Sequence, residues 1–226
     1  MAKECRIVKV WDTATLNLQA SLHGHMEEIT DIDVSKCNRY LATASMSGQV
    51  ILWDWQRCLK LEAFQDHIGT VNALKFFTLE DVQLLVSCSD DGTIRVVDAL
   101  DQLGEGDQRR SRGRRRDRLA VNVAPEEYRP GQRNKKIKSV NMTSEGLLAA
   151  GSDRGEVYLW KLSLADLRKG FAKPLGSYRK HSKILHHLEF SPDECFLFTG
   201  SVDGTASVWH LGGGLTDDKR LAHFQP

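Results

Sequence analysis

An acid, a histidine and a hydroxyl recur at set intervals in this 226-residue chain, and together they are able to make a nucleophile. Near the C-terminal end they are Asp203, His181 and Thr199, followed by Trp209. A carboxylate that orients a histidine, which then takes the hydroxyl proton, is the arrangement of acyl-transfer catalysis. The set returns, however, as His67, Ser87 and Asp91, and again without its acid as His25, Thr43 and Trp53. A catalytic centre needs one exposed copy with an oxyanion hole, and no Gly-x-Ser-x-Gly elbow marks one. Repetition therefore argues for architecture. The expected network runs from Trp ring N–H to hydroxyl, from hydroxyl to histidine, and from histidine to Asp. Losing a member would strand a buried polar group, at about 1–3 kcal/mol. The chain is read as a non-enzyme.

The copies degrade in different ways. Ser47 stands at the acid position of the second copy, and Val97 replaces Trp in the third. In the fourth the acid shifts to Asp153, Arg154 precedes the glycine, and no histidine is present. These departures are expected to weaken the units concerned.

Other chemistry is sparse. Residues 109–118 carry seven arginines (Arg109, Arg110, Arg112, Arg114, Arg115, Arg116 and Arg118) and one Asp, a net of +6 that leaves −5 for the rest of the chain. Such a run suits nuclear import or non-specific phosphate contact, and its composition also suits a disordered, solvated loop. It holds no aromatic residue to stack a base, which argues against sequence-specific nucleic-acid reading. Lys135, Lys136 and Lys138 are expected to extend the positive patch. His186 and His187, adjacent on one strand, are expected on opposite faces and so do not chelate one ion. The five cysteines (Cys5, Cys37, Cys58, Cys88 and Cys195) show no ligand spacing and read as small buried thiols of a reducing compartment. No P-loop or dinucleotide glycine motif occurs, so no cofactor, metal or small-molecule substrate is expected.

The elements that position these residues follow from a longer rhythm. His25 precedes Trp53-Asp54 by 28 positions, His67 precedes Val97-Asp98 by 30, and His181 precedes Trp209-His210 by 28. Trp160-Lys161 ends a fourth unit and Trp11-Asp12 opens the chain. A repeat of about 40–45 residues ending in Trp-Asp is the signature of a four-stranded propeller blade. Period-2 alternation supports strands such as Ile29–Ser35 and Ile184–Phe190. Gly48, Gly92, Gly155 and Gly204 fall at one hairpin position in four units, where a tight turn needs positive φ. The expected fold is all-β, a WD40 β-propeller segment over 1–226. Its blades fall at 5–22 (partial), 29–64, 71–124, 137–178 and 184–224, with a basic disordered insert at 101–118. Four blades and part of a fifth do not close a ring of seven or eight. The expectation is a fragment, a truncated gene product, or a split propeller completed by a partner. No apolar run approaches the ~18 residues of a membrane span and no secretory leader is visible, so a soluble intracellular chain is expected.

Leu22–Asp31 (LHGHMEEITD) resembles the Gly-His-x-x-Glu-Ile-x-Asp segment of the bromodomain and WD-repeat family. The strand from Ile7 (IVKVWDTATLNLQASL), the return from the insert through Arg129-Pro130-Gly131, and Thr199–Trp209 (TGSVDGTASVW) are similar to that family as well. The resemblance implies a nuclear, chromatin-associated regulator of transcription, in which this segment is a protein-binding scaffold beside bromodomains that lie outside it. Members are linked to cullin-4 ubiquitin ligases through Trp-Asp-x-Arg. Here Trp53-Asp54 is followed by Trp55-Gln56-Arg57, one residue too long. The expected partners are proteins, chromatin components among them, with non-specific nucleic acid through the Arg run and no membrane. Two alternatives stand beside this reading. One is a general intracellular scaffold or ligase substrate receptor without a chromatin role, cytoplasmic rather than nuclear. The other is a ribonucleoprotein-assembly factor that uses the Arg loop.

Overall fold

The computed structural model describes residues 6–99, 120–125, 134–211 and 223–224. Cys5 and the insert at 101–118, with all seven of its arginines, lie outside the described residues.

Among the described residues eighteen strands are arranged in one two-stranded and four four-stranded sheets, all antiparallel between neighbours. β1 (Ile7–Trp11) pairs with β2 (Leu18–His23) as the partial first blade. β3 (Ile29–Val34), β4 (Tyr40–Ser45), β5 (Val50–Asp54) and β6 (Leu59–Phe64) form the second blade in chain order. β7 (Val71–Leu79), β8 (Val82–Ser89), β9 (Ile94–Asp98) and β10 (Ala120–Val123) form the third, so its outer strand lies beyond the insert. β11 (Ile137–Met142), β12 (Leu147–Ser152), β13 (Glu156–Lys161) and β14 (Lys173–Arg179) form the fourth. β15 (Leu185–Phe190), β16 (Phe196–Ser201), β17 (Ala206–His210) and β18 (His223–Phe224) form the fifth. The fold is a WD40 β-propeller segment, because the first strands β3, β7, β11 and β15 lie side by side and the sheets stack face to face around them.

Stacking follows from alternation. On β4 and β5, Tyr40, Ala42, Ala44, Val50 and Leu52 face the third blade and pack against Val71, Leu74 and Leu85. The opposite face presents Leu41, Ile51 and Trp53 to Val8, Ala20 and Leu22 of the partial blade. Ile32 and Val34 pair with Thr43 and Leu41 on that face, yet they remain exposed because the two-stranded hairpin covers only its outer half. Each first strand opens with a register shift (Ile29/Asp31, Val71/Ala73, Ile137/Ser139 and Leu185/His187), a bulge that bends the strand where the loops emerge.

Polar side chains bind neighbouring first strands to one another. Asp31 and Asp33 on β3 accept the Leu74 and Phe76 amides of β7 at 2.8 and 2.7 Å. The sequence pattern gave no sign of these contacts. A single helical turn, α1 (Leu164–Leu167), follows β13, capped by the Ser163 hydroxyl, and buries Leu164 and Leu167 in the core between the third and fourth blades.

Three of the cysteine expectations fail. Cys88 on β8 is buried, and burial pushes its thiol well above the ordinary range. Cys37, Cys58 and Cys195 are exposed and free, because they sit in the connections between strands rather than in them. The bulge at Leu185/His187 also breaks simple alternation, so His186 and His187 are both exposed.

Candidate functional site

The loops that leave each outer strand, and the hairpin turns between second and third strands, share one rim of the segment. Gly48, Gly92, Gly155 and Gly204 have φ of +83, +86, +78 and +85°. A Cβ at Gly48 would collide with the His67 carbonyl, and one at Gly155 with that of His181. Glycine thus serves both the turn and the close approach of the next blade's loop.

In the fifth blade Trp209 Nε1 donates to Thr199 Oγ1 at 3.1 Å, and Thr199 Oγ1 shares a hydrogen bond with His181 Nε2 at 2.9 Å. The expected contact between Asp203 and the histidine is a long one, supplemented by a hydroxyl that stands between them. His181 Nδ1 meets Thr205 Oγ1 at 2.8 Å, and Thr205 donates to Asp203 Oδ1 at 2.6 Å. Asp203 Oδ2 lies 3.5 Å from Nδ1 and also accepts from the Ser182 amide, at 2.8 Å. In the third blade the acid reaches the ring itself. Asp91 Oδ2 accepts from His67 Nδ1 at 3.1 Å and from the Ile68 amide at 3.0 Å, while His67 Nε2 pairs with Ser87 Oγ at 3.0 Å. An ionised Asp91 only accepts, so Nδ1 carries the proton and Ser87 donates to Nε2. Burial alone would raise the Asp91 carboxyl, but hydrogen bonds from His67 and Thr93 outweigh it and hold the group far below the usual carboxylate range. Thr93 and Thr205 were missed as members. The Asp-Gly-Thr at 91–93 and 203–205 was the available signal.

The other two rim networks are incomplete. In the second blade Trp53 Nε1 donates to Thr43 Oγ1 at 2.9 Å and Thr43 pairs with His25 Nε2 at 2.7 Å. Beyond that the chain stops, for His25 Nδ1 is buried without a hydrogen-bond partner. Burial first, and the Lys60 charge second, lower the His25 pKa to about 4. Where Val97 replaces Trp, a small pocket remains, lined in part by Gly48, Phe64, His67, Ser87, Arg95 and Val97. In the fourth blade Glu156 stands at the register of Thr93 and Thr205, and binds Lys135 at 2.9 Å and the Tyr158 hydroxyl at 2.8 Å. Asp153 accepts the Lys136 amide at 3.1 Å, a loop contact rather than a bond to a ring.

Lys135, Lys136 and Lys138 are drawn into local ion pairs. Lys136 and Lys138 both bind Asp90 at 2.6 Å and Lys135 binds Glu156, so two acids on the third and fourth blades offset most of the charge of three lysines. Among the described residues no group of His, Cys, Asp or Glu could hold a metal ion, and no helix is long and apolar enough to cross a membrane.

Three large apolar side chains stand outward on the rim. Met26, Met46 and Ile68 are 77, 49 and 92 % exposed. They sit on three joined loops. The Met46 amide donates to Glu28 O at 2.9 Å, Gln65 Nε2 to Ser47 O at 2.9 Å, and Thr70 Oγ1 to Met46 O at 3.4 Å. Glu27, Glu28 and Asp66 are exposed on the same loops.

Comparison with known proteins agrees with this architecture. The Target of rapamycin complex subunit wat1 of Schizosaccharomyces pombe is 27 % identical over 190 residues, 84 % of this chain and 52 % of its own length. A guanine nucleotide-binding protein subunit beta of Oryza sativa subsp. japonica is 28 % identical over 193 residues, 84 % of this chain and 46 % of its own length. The chain thus spans about half the length of these relatives. The crystal structure of the Cps50 (Swd1) beta-propeller domain of Myceliophteria thermophila superposes with a TM-score of 0.68 at 20 % identity, covering 96 % of this chain and 64 % of that one. The resemblance to bromodomain and WD-repeat proteins narrows to the repeat that all these proteins share. The family model for the WD domain, G-beta repeat, matches residues 16–54, 57–98 and 172–210. Each match is an outer strand plus the first three of the next blade. The first three strands of the fourth blade, with Ala150 in place of the hydroxyl and Arg154 in place of the acid, fall between matches. These matches take in just over half of the sequence, and the chain belongs to the WD40 family.

Proposed function

We propose that this chain is a general protein-interaction scaffold, which binds a polypeptide partner over the rim of its second and third blades. The observation that carries the reading is the exposed trio Met26, Met46 and Ile68 on loops fixed by hydrogen bonds to one another. Fixed loops lose little entropy on binding, and exposed apolar side chains framed by charge are the usual make-up of a contact patch. The flanking Glu27, Glu28 and Asp66 favour a partner segment with basic residues beside its apolar anchor. The acids and histidines that could have served catalysis are spent on holding these loops, which favours a non-catalytic role. The matching subunits of a Target of rapamycin complex and of guanine nucleotide-binding proteins support a place within a larger assembly. They support the general scaffold better than the chromatin reading.

Ile68→Asp and Met46→Asp in the full chain, with Phe171→Asp as a distant control, test the reading by quantitative affinity purification. Loss of the recovered partners by about tenfold or more with the first two only is expected. An unchanged partner set would remove the rim from the function. The Arg run at 109–118 supports a second reading, nuclear import or phosphate contact. Its deletion should abolish nuclear accumulation or salt-sensitive nucleic-acid retention, and unchanged behaviour in both would make it a spacer.

A further inference from the structure

The second blade keeps a seat for an anion and has no acid to fill it. Ser45-Met46-Ser47-Gly48-Gln49 lies in register with Ser89-Asp90-Asp91-Gly92-Thr93 and with Ser201-Val202-Asp203-Gly204-Thr205, each with its glycine at positive φ. In the third blade the carboxylate is gripped by His67 Nδ1 at 3.1 Å, the Ile68 amide at 3.0 Å, the Thr93 amide at 2.8 Å and the Thr93 hydroxyl at 2.6 Å. In the fifth the Ser182 amide (2.8 Å), the Thr205 amide (3.0 Å) and the Thr205 hydroxyl (2.6 Å) do the same. The matching donors in the second blade are His25 Nδ1 and the amides of Met26 and Gln49. The bond of His25 Nε2 to Thr43 orients its ring as the Ser87 bond orients His67, so Nδ1 is aimed at the position of Ser47. That nitrogen is buried, in a residue only 7 % exposed, and has no partner. The Ser47 hydroxyl is partly accessible and instead meets Ser45 Oγ at 2.9 Å.

We propose that Ser47 is a phosphorylation site, and that its phosphate takes the seat which Asp91 and Asp203 fill in the sister blades. In the step, Ser47 Oγ attacks the γ-phosphorus of ATP held by a protein kinase. The bond from that phosphorus to the β–γ bridging oxygen breaks, ADP leaves, and the hydroxyl proton passes to the kinase's base. The product carries a charge of about −1.5 to −2 and three acceptor oxygens, matched to a seat of one ring N–H and two amides. The longer reach of a phosphate compared with a carboxylate is accommodated on the solvent side, where Met26 and Met46 stand exposed. The modification would lock the loop of residues 24–28 to the turn that carries Met46.

The experiment has two arms on the full chain. In the first, phosphoserine is installed at position 47 by codon reassignment and compared with Ser47→Asp, Ser47→Ala and the unmodified protein. Thermal midpoint and ¹⁵N imidazole resonances of His25 are read. A rise of roughly 3–6 °C for phosphoserine and Ser47→Asp, with His25 Nδ1–H becoming hydrogen-bonded and Ser47→Ala neutral, is expected. A midpoint equal to or below that of the unmodified chain, with His25 unmoved, overturns the seat. In the second, the chain is isolated from phosphatase-inhibited eukaryotic cells and its peptides are sequenced by mass spectrometry. Phosphate localised to Ser47 rather than Ser45, and absent from Ser47→Ala, supports the site. A Ser47 found wholly unmodified overturns it.

Discussion

The second and third blades solve the same problem with different members missing. The second retains Trp53, Thr43 and His25 but has Ser47 for the acid, and its histidine ends in an unpaired nitrogen. The third retains Asp91, His67 and Ser87 but has Val97 for the indole, and its loss appears as a small pocket rather than an unpaired group. The two losses are not equivalent. An absent acid leaves a donor or acceptor stranded in a medium that cannot replace it, whereas an absent indole leaves space that neighbouring apolar side chains partly close.

The sharpest test of that contrast is to remove the acid where it exists. Asp91→Ala strands His67 Nδ1, the Ile68 amide and Thr93 together, and should cost about 2–4 kcal/mol in urea denaturation. A loss below about 1 kcal/mol would place the strength of the third blade elsewhere. Acid titration should separate the blades next. The folded-state pKa of His25, about 4, lies below its ordinary value of 6.5. The unfolded chain therefore binds the proton first, and stability is full above about pH 6.5 and is lost as pH falls through about 4. The contribution is on the order of 2–3 kcal/mol, and Ser47→Asp, which offers the ring a counter-charge, should flatten this profile. A profile that keeps its slope in Ser47→Asp would disconnect His25 from the acid position. Trp53→Phe keeps most of the apolar area but removes the donor to Thr43, and about 1–2 kcal/mol should go. A neutral result would mean that the indole serves by packing alone, as the side chain at Val97 does. Ser47→Ala, in a blade whose acid is already missing, should change stability by less than about 0.5 kcal/mol.

The same contrast separates what could be read in advance from what could not. The members His181, Thr199 and Trp209 were legible because their types recur at fixed spacing, and a repeat in sequence becomes a repeat in space once each unit forms one sheet. The interposed Thr205 was not read, since a hydroxyl two residues from an acid has many partners open to it until the turn fixes the distances. Lys136 and Lys138 read only as positive charge because spacing carries no record of Asp90, which is brought to them across a blade boundary from nearly fifty positions away. Asp31 and Asp33 appeared only as the polar half of an alternating strand. Their bonds to Leu74 and Phe76 exist because two first strands lie side by side.

The sequence by itself determined the blades: the period-2 strands, the glycine turns and the Trp-Asp rhythm are local, and local sterics and alternation are enough to specify them. Only the tertiary structure decided which charges pair, which histidine lacks its acid and which apolar residues reach solvent. Those properties belong to pairs of blades, and contacts between blades depend on distances that no single stretch of chain contains.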